Sequence, residues 1–298
     1  MSPQQGVLKL KNFSQSNHRL LAICSATLIV FVWSGWITLS RVGVQTNLTP
    51  ADITLLRFGT GAVFTLPFAI RYDWKKLSLW KATVVALGCG FPYTMLSFYG
   101  LQSIKAANAG VIVNGLLPVF GAALAFLALK ERISNKKLLA IFIILIANLI
   151  MIGNPGGLEN NWIGWVMLIG ASFIFSSYLF LGKRWGFGTR DVLAFLPLIN
   201  AVLFVPYWFM TESGIPETSL PQILTQAAYQ GVLVSVIALL LTFYAMQYIG
   251  AMTLSIFFSF VPFTTAVLAW VALGESLSTL EIMAIVLCSL GLVLYAKK

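Results

Sequence analysis

Ten apolar runs, most of them about twenty residues long, follow one another along this 298-residue chain with gaps of mostly a handful of residues. A helix that crosses ~30 Å of hydrocarbon needs about 20 largely apolar residues, so the pattern leaves little besides a polytopic all-helical membrane fold. The runs lie near 20–40, 51–70, 80–102, 107–129, 137–153, 162–182, 191–211, 222–247, 252–273 and 280–296. No gap can house a separate soluble domain. Composition agrees, with 59% apolar and 9% charged residues, against roughly 25% charged in soluble proteins. That excludes a soluble enzyme, a disordered chain and a secreted disulfide scaffold. The net charge of +10 does not point to nucleic acid, because the basic residues lie between apolar runs rather than on a solvated face.

The first run is too long for the h-region of a signal peptide, roughly 7–15 residues, and reads as a retained helix after a leader over 1–19. Basic residues set the orientation. With the N-terminus inside, cytoplasmic segments hold 16 of the 19 lysines and arginines, while Arg41 and Lys105 lie outside and Arg57 lies within a span. Both termini are therefore expected in the cytoplasm. Cys24, Cys89 and Cys288 each fall in an apolar run, and His18 is the single histidine. Neither a metal site nor a histidine-dependent triad is expected, and no cofactor or nucleic-acid partner is implied.

The chain repeats itself. At an offset of 144, Pro118, Ala122, Leu124, Ala125, Ala128, Leu129, Glu131, Ser134, Ala140 and Ile141 recur as Pro262, Ala266, Leu268, Ala269, Ala272, Leu273, Glu275, Ser278, Ala284 and Ile285. Asp52 and Asp191 correspond at offset 139, and Ser34 and Ser176 at offset 142. Two five-helix copies follow, 20–153 and 162–296, joined by a linker over 154–161. An odd number of spans per copy forces the second to enter the membrane upside down, a plan of transporters whose site lies near the midplane between halves.

Each copy closes with Pro, an Ala/Leu-rich run and Leu-x-Glu-x-Ile/Leu: Pro118 to Leu129-Lys130-Glu131-Arg132-Ile133, and Pro262 to Leu273-Gly274-Glu275-Ser276-Leu277. With Trp33-Ser34 in the first run and Leu56-Arg57-Phe58 in the second, the chain resembles the EamA-type ten-helix exporters of the drug/metabolite transporter superfamily. The resemblance implies a small-molecule carrier; the polytopic architecture makes a bacterial inner membrane its simplest home. Ala147-Asn148 stand where that family favours glycine, which Gly291 keeps.

Polar residues within the runs are the candidate site. Arg57 is too deep to be incidental: it either lines the pathway and holds a substrate carboxylate, or snorkels to the outer headgroups. Asn114 on span four, and Ser255 and Ser259 on span nine, lie on stripes of small residues broken by Pro118 and Pro262 and are expected to face a cavity, with the prolines bending their helices. Ser34 and Ser176 belong to matching polar stripes on spans one and six. Trp33, Tyr93 and Tyr178 supply aromatic surface, whereas Trp36 lies near a span end and is expected in the interfacial belt. Glu131 and Glu275 are expected to lock helix ends. No carboxylate lies at depth, so exchange, uniport or a rim carboxylate would carry the coupling. The resulting expectation is a carrier of amino acids or related metabolites working by alternating access; the family resemblance implies that it is directed outward. The alternatives are nucleoside, S-adenosylmethionine or sugar-derivative cargo, or a ten-helix channel or structural protein. The bilayer and a small-molecule substrate are the expected partners, with no obligate protein partner.

Overall fold

The computed structural model describes residues 3–153 and 161–297, with side chains from residue 17 onward. Most of the 154–161 linker and the side chains of the leader lie outside the described residues. The described chain is helical and without strands: α1 (Pro3–Gly43), α2 (Pro50–Ile70), α3 (Leu79–Gly88), α4 (Phe91–Ser103), α5 (Ala106–Leu129), α6 (Asn135–Ile152), α7 (Trp162–Arg184), α8 (Thr189–Trp208), α9 (Leu220–Gln226), a π-helical segment (Ala227–Ile237), α10 (Ala238–Phe258), α11 (Val261–Leu273) and α12 (Thr279–Ala296). Nine helices among the described residues are long and apolar enough to span a membrane, with Leu79–Ser103 and Leu220–Phe258 each counted once, and Val261–Leu273 is shorter.

Backbone breaks fall in one expected gap, at Gly250, and inside two runs expected to be continuous. Gly250, at φ 78° and ψ 158°, interrupts α10. Its helical ends therefore belong to different runs, and the residues after it continue through a bend at Ser259 and Phe260 into α11. The run expected as one helix over 80–102 is broken at Cys89-Gly90, where Pro92 enters the first turn of α4. Asn200 of α8 fills that break: its Oδ1 accepts from Phe91 N at 2.9 Å, and its Nδ2 donates to Ala86 O at 3.0 Å. A Cβ on Gly90 would overlap both Asn200 Oδ1 and the Ala86 carbonyl. Gly90→Ala is accordingly expected to destabilise by about 2–3 kcal/mol, read as a lower thermal midpoint in detergent.

Local sequence chemistry explains the helix ends. Thr49 and Asp52 form a capping box at the start of α2, and Ser278 and Glu281 form one at the start of α12. Each satisfies otherwise orphaned N–H groups and places a negative charge at the positive end of the helix dipole. Asp191 accepts from Gly188 N at 2.6 Å at the start of α8. The left-handed residues Lys130 and Gly274, at φ 56° and 65°, end α5 and α11, and Glu131 N and Glu275 N return to Ala125 O and Ala269 O, both at 3.4 Å. The same C-terminal motif thus occurs twice, 144 residues apart in the sequence.

The helices pack as α2 on α8 and the π segment, α6 on α12, α1 on α10 and α11, and α7 on α4 and α5. Gly291 sits against Ile144, while Ala147 and Asn148 are both buried, so Asn148 does not hold α6 away from its neighbours. At one end of the bundle Arg41 meets Glu275, and Lys105 meets Glu281. At the other, Tyr72 donates to Asp191 at 2.7 Å, and His18 shares a 2.9 Å hydrogen bond with Tyr244. Burial and the bond to Asp191 push the Tyr72 phenol up to about 12, so it stays a donor throughout the physiological range.

Candidate functional site around Arg57

Seven residues into α2, or about 10 Å along the axis at 1.5 Å per residue, Arg57 points into the bundle and is only 3% exposed. It does not snorkel. Its Nε and Nη1 have no hydrogen-bond partner, and no carboxylate pairs with it among the described residues. What surrounds it is aromatic: the guanidinium lies 5.3 Å from the Trp36 ring centre and 5.5 Å from that of Phe58. Cation–π attraction recovers part of the lost hydration, but it leaves the N–H donors without acceptors. A planar fork of buried donors facing no acceptor is suited to a carboxylate brought in from outside.

The aromatic wall is continuous. Trp36 stacks on Tyr93 at 5.5 Å, Tyr93 contacts Phe175 at 4.9 Å, and Phe175 contacts Tyr178 at 5.5 Å. Trp33 meets Trp36 and Phe175 edge-on, at 6.4 Å in each case. Helices α1, α2, α4 and α7 thus bring Trp33, Arg57, Tyr93 and Tyr178 together. Trp36 corrects the belt expectation. It is 2% exposed, because its position on the helix face, not its distance from the end, decides what it touches.

The other candidates are placed differently. Ser34 Oγ donates to Val261 O at 3.2 Å, and Ser176 Oγ donates to Leu117 O at 3.0 Å. Each acceptor immediately precedes a repeat-related proline, Pro262 or Pro118, so the two bonds form a matched pair between the halves. Asn114 donates to Gly110 O, Ser255 to Ala251 O, and Ser259 to Ser255 O, each within its own helix. None of the three joins Arg57. Pro118 lies inside the unbroken α5, and Pro262 lies in the first turn of α11, just past the bend.

The two glutamates also part company. Glu275 accepts from Arg41 Nε at 3.3 Å and from Ala106 N, the start of α5, at 2.9 Å. Arg41 further donates to Leu101 O and Gln102 O. Glu131, at the far end of the 24-residue α5, is exposed and pairs with no cation among the described residues.

Sequence reasoning passed over Asn200 and the pair Gln226 and Gln230. The glutamines, four residues apart in an apolar run, were the available signal, because an amide in hydrocarbon must find a partner. Gly88-Cys89-Gly90-Phe91-Pro92 likewise carries the breakers that divide α3 from α4.

The profile of the EamA-like transporter family matches residues 20–153 and again 162–296. The chain belongs to the EamA-like transporter family. Among its relatives, a protein of Archaeoglobus fulgidus named an uncharacterized transporter is 23% identical over 281 residues, covering 88% of this chain and 91% of its own. The uncharacterized transporter YyaM of Bacillus subtilis is 27% identical over 256 residues, covering 82% of this chain and 83% of its own. A solved crystal structure matches 94% of this chain and 96% of its own at a TM-score of 0.66 and 19% identity, a likeness in fold alone. With its long apolar helices, this EamA-like protein is a multi-pass transporter of the cell membrane.

Proposed function

We propose that the protein carries small organic carboxylates, amino acids foremost, outward across the membrane by alternating access, with Arg57 as the anchor for the carboxylate. The observation that carries this reading is the buried guanidinium whose Nε and Nη1 face no acceptor. An uncompensated cation at this depth costs several kcal/mol, a cost that a ligand's carboxylate would offset. The aromatic wall of Trp33, Tyr93 and Tyr178 suits the apolar remainder of such a molecule.

Two inverted repeats, with both termini cytoplasmic, fit the recurrence of one helix-end motif at Glu131 and Glu275 and the matched serine bonds to Val261 and Leu117. In that orientation the Glu275 end is extracellular. There Glu275 is paired with Arg41, whereas Glu131 is exposed at the other end, where Tyr72–Asp191 and His18–Tyr244 join the halves instead. Exchange of the two arrangements would open the Glu275 end and bring Glu131 toward Lys183, the counterpart of Arg41 at offset 142.

The test is flux from proteoliposomes preloaded with labelled amino acids, with and without a pH gradient. Saturable flux that accelerates with unlabelled substrate on the far side is expected, together with loss of that flux in Arg57→Ala. Flux that neither saturates nor responds to counter-substrate would indicate a channel instead, and an active Arg57→Ala would remove the anchor.

A further inference from the structure

The longest departure from α-helical geometry among the described residues packs against α2, the helix that carries Arg57. Over Ala227–Ile237 the chain is π-helical for 11 residues, a geometry usually limited to a single turn and often found at functional sites. Packing holds it there: Gly231 presses so closely on α2 that a Cβ would overlap Thr60, and Ser235 Oγ donates to Gln230 O at 2.8 Å. The segment carries Gln230 against α1. Gln230 is fully buried, and its amide is engaged on both sides. Its Oε1 accepts from Trp36 Nε1 at 2.8 Å, and its Nε2 donates to Ser40 Oγ at 3.0 Å and Gln226 Oε1 at 3.2 Å. Gln226 Nε2 in turn donates to Leu39 O at 2.9 Å.

Trp36 is the ring over which Arg57 lies and on which Tyr93 stacks. Ring contacts pack the Trp36 indole, and its one polar atom is held by Gln230. We propose that Gln230 is a positioning residue for the substrate: by holding the Trp36 indole it keeps the Arg57 guanidinium aimed at the incoming carboxylate. The inference rests on the reading of Arg57 as carboxylate anchor and adds how that anchor is oriented. It predicts that a substrate's carboxylate, rather than its side chain, registers a change at residue 230.

The experiment uses the full chain in proteoliposomes and, as probe, the labelled amino acid giving the largest wild-type counterflow. Gln230→Met, of similar length but unable to bond the indole, is expected to raise KM roughly tenfold, the scale of one misaligned hydrogen bond to a charge. The maximal rate is expected to stay within about twofold. In Gln230→Glu a protonated carboxyl places a carbonyl and an O–H where the amide stood, and KM is expected to return to within about threefold of wild type. Trp36→Phe, which removes the donor and keeps an aromatic ring, is expected to match the methionine variant and not to add to it.

In an Arg57→Lys background, Gln230→Met is expected to leave KM unchanged, because its effect acts through the guanidinium. An unchanged KM in both Gln230→Met and Trp36→Phe, or a further rise of tenfold in the Arg57→Lys background, would overturn the proposal. Failure of the anchor reading is separate and visible first: Arg57→Lys alone would then transport with wild-type KM.

Discussion

Arg57→Met is expected to make the protein more stable and to weaken carboxylate transport severely. Both effects have one cause. The wild-type side chain keeps a charge in an aromatic enclosure with Nε and Nη1 unpartnered, and removing an uncompensated buried charge returns free energy that no native contact replaces. Methionine fills a similar elongated volume with no desolvation cost. A gain of about 2–4 kcal/mol is expected, read as a higher thermal midpoint of the detergent-purified protein. Losing the anchor for the carboxylate should lower the ratio of maximal rate to KM by roughly 100-fold. Arg57→Lys keeps the charge but lacks the planar fork and should fall between the two. A methionine variant less stable than wild type would show that the guanidinium is a structural element, and would remove the basis for a ligand there.

Glu275→Ala and Glu131→Ala, equivalent in the sequence repeat, are expected to differ sharply. The first strips the acceptor from Ala106 N and from Arg41 in a cluster that is largely buried, and should cost about 2 kcal/mol. Arg41 retains its carbonyl partners Leu101 and Gln102, which limits the loss. The second removes an exposed carboxylate and should lie within about 0.5 kcal/mol of wild type. Paired thermal unfolding of the two variants is the measurement. Equal losses would mean that Glu131 has a partner of comparable worth, and the asymmetry between the two ends would disappear.

Much of the architecture was legible because hydrocarbon imposes a length on every crossing. The apolar runs predicted where helices stand, and glycines and prolines marked the breaks, at Gly250 in an expected gap and at Gly90 inside a run expected as one helix. Arg57 was legible for the same reason, since a charge inside such a run must be accounted for. The small polar residues were less informative. A serine or asparagine inside a membrane helix can satisfy itself on the carbonyl four residues back, as Asn114, Ser255 and Ser259 do, so polarity at depth does not imply a cavity. The π segment had no local signature. It depends on Gly231 meeting α2, a tertiary contact, and with it the place of Gln230 beside Trp36 was hidden.

The bonds from Ser34 to Val261 O and from Ser176 to Leu117 O have a mechanical consequence. They join opposite halves beside Pro262 and Pro118, away from the charged clusters at the bundle's ends. In a rocking motion, points near the axis move least, so these two bonds can serve as a fulcrum that persists while the ends part and meet. The serines would then govern how readily the halves turn against each other, and the ligand could be held without either hydroxyl touching it.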